Sequence, residues 1–150
     1  MHSIHYNRSR RSLILVKIDA SDATVLLPLE LTLQSVMRKA VHEQQPLFID
    51  QTIRSPGFIE FEHVTQHILT FCAEHKTYRL YDMASYHLLF TVCDSTIKDI
   101  KMYPSGVIIY IHDSVGGSAQ QTFTIVSMAT GQVLAIDVCS GFVSEPLLLL

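Results

Sequence analysis

The rhythm of apolar and polar positions changes near residue 56. Before it, Leu13–Ile18 reads as one short apolar strand behind a polar tail. Ser21 and Asp22 mark a turn, and Val25–Leu29 is apolar but interrupted by Pro28. Leu33, Val36, Met37 and Val41 then fall at i, i+3, i+4 and i+8, the spacing of one helical face. Thr32 is placed to cap that helix and Pro46 to stop it. Its apolar face is expected to be covered. After Ser55-Pro56-Gly57, short runs of β-branched and aromatic residues follow one another, separated by turn residues. They are Phe58–Phe61, Ile68–Ala73, Tyr78–Tyr81, Leu88–Cys93, Ile97–Tyr103, Val107–His112, Thr122–Val126 and Val133–Val138. This density leaves no room for crossover helices, so antiparallel meanders are predicted rather than βαβ units.

The runs repeat. Residues 77–89 lie over 122–134 at an offset of 45, with Thr77/Thr122, Met83/Met128, Ala84/Ala129 and Leu89/Leu134 identical. Upstream, Val64–Ala73 lies over Tyr103–His112 at an offset of 39, which assigns six extra residues to the loop Asp113–Gln121. A unit of about 45 residues with four strands is the period of propeller blades.

The segment Ala73–Asp82, Ala-Glu-His-Lys-Thr-Tyr-Arg-Leu-Tyr-Asp, resembles the third strand of a WD-repeat β-propeller. That family reads roughly Ser-x-Asp-x-Thr-Ile-Arg-Leu-Trp-Asp there. Tyr81 stands at the Trp position and His75 at the usual Asp position, and no Gly-His dipeptide precedes the blade. The run RSPGFIEF ahead of it is similar to eukaryotic propeller-like proteins without defined chemistry. The resemblance implies a divergent propeller over residues 57–139. It also implies a tetrad-like hydrogen-bonded set at His75, Thr77, Tyr81 and Asp82.

The expected fold is mainly β: about two antiparallel four-stranded propeller-like blades and one short N-terminal helix. The expected divisions are a basic flexible arm at 1–12, a strand plus short helix at 13–56, and two blades at 57–150. A closed ring of at least four blades needs roughly 180 residues, so two blades make an incomplete ring. The four leucines ending the sequence, Leu147–Leu150, are expected to start a continuing element or to dock on a partner.

Composition narrows the class. With 48% hydrophobic, 17% charged and 9% aromatic residues, the chain is not of the disordered type. Six Gly, five Pro and three Cys exclude collagen-like and disulfide-dense chains. No apolar run approaches the ~20 residues of a spanning helix. Cys72, Cys93 and Cys139 lack CxxC spacing and lie in or at the end of apolar runs, so they read as reduced and structural. That favours an intracellular site, cytoplasmic or nuclear. The Arg- and Ser-containing, acid-free start leaves organelle import as an alternative. The net charge is −3, but Arg8, Arg10, Arg11 and Lys17 stand in the first 17 residues with no acid.

Candidate chemistry is thin. His63 and His67 are four apart beside Glu62, but they bridge two strands and do not share a helix face. His112-Asp113-Ser114 holds triad residue types without a GxSxG elbow. Gly116-Gly117-Ser118 lacks the following helix that would present amides to phosphate. No cofactor, metal or catalytic residue is assigned, and an enzyme is not expected. The expected function is a noncatalytic protein–protein interaction or scaffold module, with loop contacts at Lys76, Asp94 and Asp113 and arm contacts at Arg8, Arg10 and Arg11. The alternative is a nucleic-acid-associated β protein using the basic arm. Expected partners are other proteins, a second copy, or a chain that completes the propeller.

Overall fold

The computed structural model describes residues 1–114 and 120–140, with backbone alone at 139 and 140. The expectations for Gly116–Ser118, for the Cys139 side chain and for Leu147–Leu150 lie outside that range. The described chain folds into three antiparallel sheets and one short helix. Two compact units result: residues 1–61 with 66–92, and residues 62–65 with the chain from Cys93 on.

The first sheet runs β1 (Ser3–Asn7), β2 (Ser12–Ile18), β3 (Val25–Thr32) and β4 (Gln45–Pro46), with β5 (Ile53–Arg54) also pairing with β3. This corrects three expectations. Residues 1–12 are not a free arm: β1 pairs with β2 from Ser3 opposite Val16 to Asn7 opposite Ser12. Residues 13–56 are not one strand plus a helix but the rest of a five-stranded sheet, so the sheets number three rather than two. β2 has partners on both edges, and Ile14, Leu15 and Val16 are buried. Pro28 does not interrupt β3. Its carbonyl accepts from Leu47 N–H at 2.9 Å. A residue's N–H and C=O point to the same side of a strand, so the missing donor falls away from β2 and breaks no bond in that ladder.

The helix α1 (Leu33–Met37) is a single turn. Thr32 caps it as expected, accepting from Ser35 N–H at 3.1 Å. The covered apolar face is overturned: Met37 is 84% exposed, and Val36 and Val41 are exposed too. The helix ends at Arg38, far before Pro46, and Lys39 takes a left-handed φ of 58°. One turn cannot align an i to i+8 stripe. Ser35 is instead the buried residue, its hydroxyl donating to the Glu43 carboxylate at 2.7 Å.

The second sheet is a meander of β6 (Phe58–Glu62), β7 (His67–Cys72), β8 (Thr77–Asp82) and β9 (Leu88–Val92). The third repeats it with β10 (Ile97–Tyr103), β11 (Val107–His112), β12 (Gln120–Ser127) and β13 (Val133–Ser140). In the first unit Ile14 of β2 meets Ile68, Tyr81 and Met83, with Leu47, Phe48, Ile59, Phe61 and Tyr86 packed around them. The first two sheets therefore share one core.

The repeat is one of register, not only of sequence. Tyr78, Arg79 and Leu80 lie opposite Val92, Thr91 and Phe90, and a bulge shifts Tyr81 to Leu88. Exactly 45 residues on would be a numerical coincidence for one pair, but every pair carries over: Phe123, Thr124 and Ile125 face Asp137, Ile136 and Ala135, and the same bulge shifts Val126 to Val133. Upstream the offset is 40, not the expected 39. Ile68 faces Tyr81 and Ile108 faces Val126; Phe71 faces Tyr78 and Ile111 faces Phe123. An alignment one residue out would exchange the two faces of the strand.

Candidate functional site

The first unit holds a cleft of about 310 Å³ between the loop Ile49–Thr52 and the end of the β7–β8 hairpin. Its lining residues Gln51 and Cys72 are fixed by hydrogen bonds. Gln51 Nε2 donates to the Tyr81 hydroxyl at 2.7 Å, and Gln51 Oε1 accepts from Thr70 Oγ1 at 3.2 Å. Cys72 Sγ donates to the Thr52 carbonyl at 3.7 Å. Arg79 Nη1 meets Asp50 Oδ2 at 3.3 Å on the wall. Burial, then the Asp50 charge, pushes the Tyr81 phenol up, which keeps it a neutral hydrogen-bonding group. The rim is the turn Glu74–Lys76, exposed throughout, with Lys76 at a left-handed φ of 48°. Among the described residues no group of three or more His, Cys, Asp or Glu is arranged to hold a metal.

The expected tetrad residues do not gather around one point. The Thr77 hydroxyl donates to the His75 backbone carbonyl at 3.0 Å, while the His75 ring is on the exposed turn. Tyr81 turns to Gln51. Asp82 lies at the other end of β8 from Thr77 and accepts from Ser85 N–H at 3.1 Å and Ser85 Oγ at 2.7 Å.

Of the expected contact residues, Arg10 has a structural task. Its Nε and Nη2 reach the two Glu30 oxygens at 2.7 and 3.2 Å, and its Nη1 reaches the Ala84 carbonyl at 3.2 Å. Its guanidinium lies over the Tyr86 ring at 4.7 Å. Glu30 is 7% exposed and also accepts from Ser12 Oγ at 2.6 Å and Tyr86 OH at 2.8 Å. Buried Asn7 donates to the Met83 carbonyl at 2.7 Å and to Tyr86 OH at 3.1 Å. Burial pushes the Glu30 carboxyl up, but the hydrogen bonds from Arg10, Ser12 and Tyr86 outweigh it and hold the group below its ordinary value. Burial, then Glu30, pushes the Tyr86 phenol up to about 12. This network ties the first sheet to the β8–β9 turn. Sequence reading missed it; the signal was Glu30 itself, an acid inside the apolar run of β3.

Arg8 and Arg11 are exposed in the β1–β2 turn, and the Arg11 carbonyl accepts from Leu33 N–H at 3.1 Å. In the second unit Asp94 accepts from Thr96 Oγ1 at 2.7 Å and from Thr96 N–H at 2.9 Å. These bonds hold its carboxyl below the ordinary value. Thr96 Oγ1 also meets His112 Nδ1 at 3.0 Å, and His112 Nε2 meets Thr124 Oγ1 at 2.8 Å. Asp113 is exposed, with its N–H on the Thr96 carbonyl at 2.8 Å. The loop acids thus lie beside a polar chain, Asp94–Thr96–His112–Thr124, that had no counterpart in the expected site.

The class these features define is a mainly β protein of antiparallel meander sheets, with no closed barrel among the described residues. A family profile matches residues 1–137, and the chain belongs to that family, described as Domain of unknown function (DUF7899). Among solved structures the chain is similar to the Kluyveromyces lactis β-propeller Hsv2, "complete loop 6CD", at 12% identity and a TM-score of 0.35. The match covers 95% of this chain and 50% of that one, so the chain spans half the length of that structure. No curated protein matches it. Neither finding identifies a WD repeat. No helix among the described residues is long and apolar enough to cross a membrane.

Proposed function

We propose that this chain is a noncatalytic protein–protein interaction module built from propeller-like sheets, and that the cleft with its rim Glu74–Lys76 is a contact surface. One observation carries the reading: a rim with unused charge borders a cleft whose Gln51 and Cys72 side chains are already hydrogen-bonded to groups behind it. Gln51, Thr70, Cys72 and Tyr81 bond one another or the backbone, while the Glu74 and Lys76 side chains make no ion pair or hydrogen bond among the described residues. Rigid sheets presenting such turns are a common basis for recognition. The buried, free Cys72 fits a reducing, intracellular setting. The nucleic-acid alternative loses Arg10, which Glu30 holds.

A photo-crosslinking amino acid at His75, in cells that express the chain, tests this. Discrete adducts that vanish in the double reversal Glu74→Lys, Lys76→Glu are expected, with thermal stability unchanged because both side chains are exposed. Adducts indifferent to the reversal would sink the assignment of this rim.

A further inference from the structure

Asn7 is the only asparagine in the sequence, and it opens the tripeptide Asn7-Arg8-Ser9. Asparagine, then any residue but proline, then serine or threonine is the acceptor of N-linked oligosaccharide, and in a secreted glycoprotein it stands on a surface loop. Here the three residues are divided. Arg8 and Ser9 are exposed in the β1–β2 turn, and the Ser9 hydroxyl donates to Gln66 Oε1 at 3.1 Å. Asn7 is 0% exposed. Its Nδ2, the atom that would carry the sugar, donates to the Met83 carbonyl at 2.7 Å and to the Tyr86 hydroxyl at 3.1 Å, which uses both hydrogens. Its Oδ1 accepts from Arg10 N–H at 3.3 Å.

Transfer from a lipid-linked oligosaccharide forms a bond between Nδ2 and the anomeric carbon of the first sugar. It breaks that carbon's bond to the donor's diphosphate, and the lipid diphosphate and one Nδ2 proton leave. One of the two Nδ2 hydrogen bonds is therefore lost, and a large hydrated group must occupy a place closed to solvent. A local slip does not make room. Asn7 pairs with Ser12, and it shares the inner side of β1 with Ser3 and His5, alternating with exposed Ile4 and Tyr6. A one-residue shift that turned Asn7 out would turn Ile4 and Tyr6 in. We infer that Asn7 is a glycan acceptor in the open chain alone: an Asn7 N-glycan and this fold exclude each other, and the fold is reached where no oligosaccharide is transferred. The inference rests on β1 and the β8–β9 turn, so it is independent of the cleft and of the Glu74 and Lys76 test.

The full chain placed behind a cleavable secretory leader in a eukaryotic secreting cell, compared with the same chain expressed without one, tests this. Behind the leader we expect one glycan, removable by endoglycosidase, and loss of the protease resistance and cooperative melting of the chain made without it. Ser9→Thr keeps the acceptor and should repeat that loss. Ser9→Ala removes the acceptor at an exposed position. It should carry no glycan and keep its resistance behind the leader, and should melt as the wild type does without one. Wild type made behind the leader with oligosaccharide transfer inhibited gives the same comparison without a substitution. A glycosylated chain as resistant as the unglycosylated one would overturn the inference. So would a leader-bearing wild type that never gains a glycan, or a fold lost behind the leader equally with and without the sugar.

Discussion

The meanders β6–β9 and β10–β13 share a register down to the bulge, and they differ at the places where the first must hold another sheet. Both hairpins use left-handed turn residues at equivalent positions. The second repeat has Gly106 at φ 91° and Gly131 at φ 72°; the first has Gln66 at 61° and Tyr86 at 59°. The backbone bonds match as well. Met83 N–H reaches the Gln66 carbonyl at 2.9 Å, and Met128 N–H the Gly106 carbonyl at 3.0 Å. Tyr86 N–H reaches the Asp82 carbonyl at 2.8 Å, and Gly131 N–H the Ser127 carbonyl at 2.9 Å. Glycine adopts this conformation without strain, whereas a bulky side chain does so at a cost. The first repeat accepts that cost because both side chains reach the first sheet: Gln66 accepts from Ser9 at 3.1 Å, and Tyr86 reaches Glu30 and Asn7. A strained turn residue here marks a junction, and glycine marks a turn that holds nothing further at that position.

The largest expected effect comes from breaking the junction. Glu30→Ala leaves Arg10, Ser12 and Tyr86 without their acceptor and should cost about 3 kcal/mol, read from denaturant midpoints at constant slope. Hydrogen exchange should rise in β1–β3 and the β8–β9 turn while β10–β12 stays protected; equal loss in both units would refute the distinction. Acid sharpens the same point. The Glu30 carboxyl is held below its unfolded value, so its contribution is present above that value and disappears as pH falls through the folded one. Glu30→Gln should flatten this limb of a stability–pH curve, and an unaltered limb would remove Glu30 from the account.

A middle-sized effect separates the turns. Tyr86→Gly relieves the strain but removes the hydroxyl, with a net loss of about 1–2 kcal/mol expected in thermal melts. Gly131→Ala has no such link to lose and should cost about 1 kcal/mol from strain alone. A stabilising Tyr86→Gly would show that the phenol contributes little. The smallest effect concerns Cys72 and His112, which end β7 and β11 and stand 40 residues apart, the offset of those two strands. Thr96→Val removes one hydroxyl from the half-exposed Asp94–His112 chain and should cost about 1 kcal/mol or less. A loss confined to the second unit's exchange pattern is the expected signature.

Much of the second and third sheets was legible because short apolar runs broken by turn residues admit few pairings. Ile97–Tyr103 and Val107–His112 were read at their observed bounds. Their repeat was visible because the buried Met83 and Met128 recur with the rest of the hairpin. The first sheet was obscured for physical reasons. Ser-Ile-His-Tyr-Asn carries little strand signal, and β1 forms where β2 offers it a ladder. Pro28 signalled a break that the orientation of its missing donor makes harmless, and a helical stripe longer than one turn was never wound.

Local pattern, a property of each short stretch and its neighbours, was enough to determine a β-rich chain with two repeated meanders, though it set β11 one residue out against β7. The partners of Arg10, Glu30, Asn7 and Tyr86 were decided only in three dimensions. Those residues lie up to 79 positions apart in the chain. A buried carboxylate states its need for donors in the sequence, but which donors arrive depends on how the first sheet packs against the second.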